Sequence, residues 1–164
     1  MHWRRLKFLW PWLCVGVMAL LLGGGCAPKV VISPPPAPPA SPAPVDRLSV
    51  VASSWLGVPY RLGGMDRSGV DCSGLAVNLY AEAFGILLPR RSLDQVEVGL
   101  PVPPALRQPA DVLFFWDRGP HMGVLLDSQR FIHASSSRGV IISELDAYWW
   151  PRLRMVRRIL GTSY

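Results

Sequence analysis

The sequence predicts an α+β domain in which N-terminal helices pack on one side of a central antiparallel β-sheet. Three observations lead there. Two segments with apolar residues at helical spacing come first, and four short apolar runs separated by Asp, Gly and Ser follow from Asp111 onward. A chain of 164 residues, 50% of them apolar, has material for one core and scarcely for two.

The first helix begins near Val45, with Asp46 as its expected cap and Leu48, Val51, Ala52 and Trp55 at helical spacing, and Gly57 and Pro59 end it. Residues 58–70 read as a loop, dense in glycine. The second helix is expected over 72–84, with Asp71 as N-cap, Leu75 and Leu79 on one face and Gly85 as terminator. A short helix over 93–98 follows Pro89-Arg90-Arg91, and Pro101, Pro103, Pro104 and Pro109 mark an irregular connection. Strands are expected over 112–116, 122–126, 130–134 and 140–143. After a helical turn around Tyr148, residues 153–160 alternate Arg with apolar side chains and suit an edge strand.

Ahead of this domain, the chain reads as an export segment and a tether. Arg4, Arg5 and Lys7 precede an apolar run over 8–22 that ends in Gly23-Gly24-Gly25. That run is shorter than the roughly 20 apolar residues a membrane span needs, so residues 1–25 read as a cleaved signal. Cys26 follows the small residues as in bacterial lipoprotein signals, which implies that it becomes the acylated first residue. Gly23 stands where such signals usually carry leucine, and Leu22 lies one place further back. Residues 26–44 then form the anchor and a linker, with eight prolines between Pro28 and Pro44. At about 3.1 Å per residue in the polyproline form, the linker would hold the domain roughly 50 Å from its anchor. The working domain is residues 45–164. It is expected to be exported and lipid-anchored to the cell envelope, on the periplasmic side of an outer membrane, or secreted and soluble if Cys26 is not lipidated. A monomer is expected.

The formal charge of +6 overstates the basicity of the mature chain, because three cations leave with the signal and 14 basic residues then face 11 acidic ones. The only dense basic group is Arg152, Arg154, Arg157 and Arg158, which reads as a solvated strand edge. Nucleic acid is excluded as a partner, since its footprint is a basic face with stacking aromatics.

Export and anchoring account for Cys14 and Cys26, which leaves Cys72 as one free thiol in an oxidising compartment, where chemistry is the usual reason to keep one. Asp71 caps the helix that starts at Cys72, and a helix N-terminus favours the thiolate. A thiol nucleophile needs a base. Beyond the signal the chain holds two histidines, His121 and His133, both expected at strand starts or within strands of the sheet that faces the nucleophile's helix. One thiol and two histidines fit nucleophile, base and orienter. No C-x-x-C or H-E-x-x-H pairing exists, so no metal or other cofactor is expected. Asp66 and Asp71 read as turn and cap residues, not as a catalytic carboxylate pair.

A longer set of motifs carries a family resemblance: Trp55-Leu56-Gly57-Val58-Pro59-Tyr60-Arg61-Leu62-Gly63-Gly64, Gly69-Val70-Asp71-Cys72-Ser73-Gly74-Leu75, Leu88-Pro89-Arg90, Gln95, Asp111-Val112-Leu113-Phe114-Phe115, His121-Met122-Gly123-Val124 and Phe131-Ile132-His133-Ala134-Ser135. The chain resembles the NlpC-type peptidoglycan peptidases, which are papain-like cysteine hydrolases. The resemblance implies a papain-like fold, Cys72 as nucleophile, His121 as general base and His133 as the residue orienting it. It further implies Tyr60 beside the thiol as an oxyanion donor, and Asp71, Ser73 and Arg61 in the substrate cleft. The implied activity is cleavage of amide bonds in peptidoglycan stem peptides through a thioester. A catalytically inactive cell-wall-binding lipoprotein and an amide or acyl transferase are the alternatives on the same fold. Met122 stands where similar proteins have valine, Ala110 replaces their glycine, and Leu126-Asp127 replaces a tyrosine-bearing turn.

Overall fold

In a computed structural model, residues 43–116 and 118–161 are described. The signal-like segment, Cys26 and the proline tether as far as residue 42 lie outside the described residues. The first helix, α1 (Pro44–Trp55), has Ala43 as N-cap with no side-chain cap bond and carries proline at its N-terminus. This corrects the expected Asp46 cap. Proline's fixed φ suits the first turn, where its missing N–H is no loss, and Asp46 sits inside that turn and favours the helix dipole instead. Leu48, Ala52 and Trp55 form the buried stripe at i, i+4 and i+7.

The expected loop contains a small antiparallel hairpin, β1 (Met65–Asp66) and β2 (Gly69–Val70). Asp66 makes its turn, Oδ1 accepting from Ser68 N at 2.8 Å. The second helix, α2 (Cys72–Phe84), has the expected bounds, with Asp71 as N-cap and Gly85 at φ 70° as its left-handed terminator. The next helix is shorter and earlier than expected: α3 (Ser92–Gln95) is a single turn. Its buried Gln95 donates from Nε2 to Ser73 O (3.1 Å) and Pro89 O (2.7 Å), tying that turn to the start of α2.

The sheet comprises β3 (Leu100–Pro101), β4 (Val112–Trp116), β5 (Pro120–Leu125), β6 (Arg130–Ser135), β7 (Gly139–Glu144) and β8 (Leu153–Arg158). The order is β3-β8-β4-β5-β6-β7, and every pairing is antiparallel. β8 is therefore not the outermost strand, although β3 covers only its Arg157–Arg158 end. Nor is the basic group there merely solvated. Arg158 donates to both oxygens of Asp111 at 2.9 and 2.8 Å, and Asp111 is 2% exposed.

Strand alternation divides the sheet's two faces. Val112, Phe114, Met122, Val124 and Ile132 pack with Leu48, Trp55, Leu75 and Leu79 of the helices. Leu113, Phe115, Leu125, Phe131 and Val156 form a second cluster on the opposite face, with Trp149 and Leu153 packed against it. Ala110, just before β4, adopts φ 71°, the left-handed conformation that glycine takes without strain. The Tyr80 hydroxyl donates to its carbonyl.

Candidate active site

The thiol's position follows from a cluster around Asp71. Asp71 Oδ1 accepts from Gly74 N at 2.7 Å, and Oδ2 accepts from Gly63 N at 2.9 Å. Arg90 grips both oxygens, Nη1 to Oδ1 at 3.1 Å and Nη2 to Oδ2 at 2.7 Å, and also donates to Ser73 Oγ at 2.9 Å. Ser73 Oγ in turn donates to Asp71 Oδ1 at 3.1 Å. A Cβ on Gly74 would stand 2.4 Å from Gly64 O, so glycine lets this loop close on the helix's first turn. Burial pushes the Asp71 carboxyl up, but the bonds from Arg90, Gly74 and Gly63, with the Arg90 charge, outweigh it and hold it below the usual carboxylate range. Asp71 and Ser73 are thus committed to building the turn that carries Cys72.

Cys72, a half-buried free thiol, is the first residue of α2. Its acidity runs against the expectation from the helix terminus. Burial, and next the Asp71 carboxylate, push the thiol above its ordinary value. The backbone N–H groups of Ser73, Met122 and Cys72 act the other way, favouring the thiolate. Tyr60 is placed by a backbone stitch: Val140 N donates to Val58 O (2.8 Å), Val70 N to Pro59 O (3.0 Å) and Arg61 N to Val70 O (3.1 Å). Burial and the neighbouring Cys72 and Asp71 raise its phenol, so Tyr60 stays a hydroxyl donor at neutral pH.

The two histidines are in contact, Nε2 of His121 lying 2.9 Å from Nδ1 of His133. Alternation puts them on the sheet face of Phe115, Leu125 and Phe131. Cys72 and the histidines converge at the start of β5, where Met122 N reaches the sulfur. The approach of β5 to β6, which carry the two histidines, needs Gly123, whose Cβ would stand 2.6 Å from Phe131 Cδ2 and 3.2 Å from His133 Cβ. Trp149 stacks on His121 with ring centres 5.5 Å apart, and Phe131 stacks on His133 at 5.0 Å. His133 is 2% exposed, and burial, then His121 and Arg138, lower its pKa to about 3. Its other nitrogen, Nε2, lies 2.8 Å from Ser143 Oγ on β7.

Cys72, His121, His133 and Tyr60 line one open cavity of about 870 Å³, together with Ser143 and Trp149. A second cavity of about 560 Å³ shares Tyr60 and Cys72 and extends past Asp71, Ser73 and Arg90. Arg61 lines neither; it is exposed and pairs with Asp66 at 3.4 Å. Sequence reasoning assigned no role to Arg90, Ser143 or Trp149. Arg90 stood within a quoted motif, whereas Ser143 and Trp149 gain meaning only once the β6–β7 register and the turn before β8 are known. Among the described residues, no group of three His, Cys, Asp or Glu side chains is placed to hold a metal ion.

The NlpC/P60 family model matches residues 57–158, a span holding the thiol and both histidines. The chain belongs to the NlpC/P60 family. It is 37% identical over 157 residues to the probable endopeptidase NlpC of Escherichia coli K12, covering 89% of this chain and 98% of that one. It is 40% identical over 114 residues to the murein DD-endopeptidase MepS/murein LD-carboxypeptidase of the same strain, covering 68% of this chain. That match spans only 61% of the murein enzyme's length. The fold also matches the crystal structure of an NlpC/P60 family protein from Bacillus cereus, with a TM-score of 0.65 and 30% identity over 74% of this chain and 41% of that one. NlpC/P60 membership agrees with the site's geometry: a thiol at a helix N-terminus and a histidine pair on a neighbouring sheet, sharing one cleft.

Proposed function

We propose that the protein is a peptidoglycan endopeptidase that cleaves amide bonds of stem peptides through Cys72, His121 and His133. The observation that carries this reading is the 2.9 Å contact between the histidines in the cavity that Cys72 also lines. Because His133 stays neutral down to about pH 3, it supplies orientation and not a second charge. Burial holds the thiol protonated until His121 takes its proton, so thiolate and imidazolium form together. The Cys72 sulfur attacks the amide carbonyl, and the Tyr60 hydroxyl and the Cys72 N–H are the candidate donors to the oxyanion. His121 then returns the proton to the leaving amine, and water, deprotonated by His121, hydrolyses the thioester. Asp71 and Ser73 line the second cavity beside the thiol with Arg90, and Arg61 lies outside both cavities.

The protein works as a monomer in the cell envelope, exported by residues 1–25 and held through acylated Cys26, with residues 26–44 as its tether. The names of the murein and NlpC relatives support the substrate class. Purified protein incubated with isolated sacculi should release muropeptides with free amine and carboxylate ends, and Cys72→Ala should release none. Equal release by both overturns the reading, and products joined by a new amide assign the site to acyl transfer. Mass spectrometry of the mature N-terminus tests the anchor: an unmodified Cys26 refutes it.

A further inference from the structure

We infer that Ser143 is a positioning residue for the reaction, acting through His133 to hold His121 in its working tautomer. The inference rests on the cysteine-hydrolase reading above and adds a fourth group to it. Ser143 faces Phe131 across the β6–β7 ladder, and His133 faces Ile141, so the Ser143 and His133 side chains share one face of the sheet. The Oγ of Ser143 lies 2.8 Å from His133 Nε2, and His133 Nδ1 lies 2.9 Å from His121 Nε2. His133 packs against both Phe131, at 5.0 Å, and Trp149, at 5.1 Å, which also touch each other at 5.3 Å, so its ring is held in place.

Proton positions along this row follow from counting donors. When His121 accepts the thiol proton, both of its ring nitrogens carry hydrogen, and its Nε2–H must find an acceptor. His133 Nδ1 is that acceptor only while His133 carries its single proton on Nε2. The Nε2–H then needs an acceptor, and with His133 only 2% exposed the Ser143 hydroxyl oxygen, 2.8 Å away, supplies it. No proton leaves the row, because the thiol proton remains on His121 Nδ1 until the leaving amine takes it. Without Ser143, the buried Nε2–H loses its partner and the alternative His133 tautomer, with hydrogen on Nδ1, gains population. That tautomer donates towards His121 Nε2 and cannot accept from the imidazolium's Nε2–H.

The test uses the full-length protein with ¹⁵N-labelled histidine. In the wild type, ring NMR should show neutral His133 protonated on Nε2 at pH 7. Ser143→Ala should introduce the Nδ1–H form and lower kcat on a stem-peptide substrate by about tenfold at unchanged KM, the scale of one buried hydrogen bond. Ser143→Thr, which keeps the hydroxyl, should restore both. The inference is overturned if Ser143→Ala leaves the tautomer or kcat unchanged, or if Ser143→Thr is as impaired as Ser143→Ala. Wild-type protein inactive on sacculi instead overturns the hydrolase reading, and the tautomer signature reports on the row without needing turnover.

Discussion

Replacing His133 with Asn should flatten the acid side of the protein's stability profile by a calculable amount. His133 is 2% exposed, with a pKa of about 3 in the folded state against 6.5 for the unperturbed ring. A histidine lowered on folding binds fewer protons folded than unfolded between those two values. Stability from this group is therefore complete above about pH 6.5 and is lost as pH falls towards 3. At pH 4.5 the folded ring is still neutral while the unfolded one is almost fully charged, so the loss between pH 7.5 and 4.5 is roughly 3 kcal/mol, two protonation-linked pH units at about 1.4 kcal/mol each. Asn does not titrate, so His133→Asn removes this contribution while the carboxylates, common to both proteins, keep theirs. Urea unfolding of the wild type and His133→Asn at the two pH values isolates the term as a difference of differences. An equal acid loss in both proteins would refute a neutral, buried His133.

Asp71→Asn removes the anion that, after burial, does most to raise the Cys72 thiol. The midpoint of the iodoacetamide rate against pH should move down, and an upward move would contradict the assignment. Arg90→Ala leaves the 7%-exposed Asp71 without its two bidentate bonds, and urea unfolding should register about 2 kcal/mol of destabilisation. Gly123→Ala forces a Cβ to 2.6 Å from Phe131 and 2.7 Å from Ile132 O, which must part β5 from β6. The expected cost is about 1–3 kcal/mol in a thermal melt and more than about tenfold in turnover, as the histidines separate.

The sequence made the site legible in proportion to how locally each residue acts. Asp71, Cys72 and Gly85 lie on one helix whose cap and terminator are set by neighbouring backbone, and α2 has the bounds that those residues imply. β4 likewise has its expected bounds, as a run of five apolar residues between Asp111 and the following turn. Asp46 misled because the helix is capped at Ala43, three residues earlier, and starts at Pro44, and a proline at the N-terminus competes with any cap read from side chains alone. The face occupied by His121 and His133 depends on register, and a shift of one residue exchanges the two faces of a strand. Ser143 and Trp149 reach the histidines only through strand pairing and the turn before β8, so nothing near them in the chain marked them. The high-lying thiol came from the same residue that made the cap readable: Asp71 orders the helix and opposes the thiolate beside it.

The claim that the Cys72 sulfur is the nucleophile can be tested without altering the fold by mutation. Protein treated with iodoacetamide until peptide mapping shows Cys72 fully carbamidomethylated should release no muropeptides from sacculi, while untreated protein digests them. Undiminished release by the fully modified protein would contradict the account.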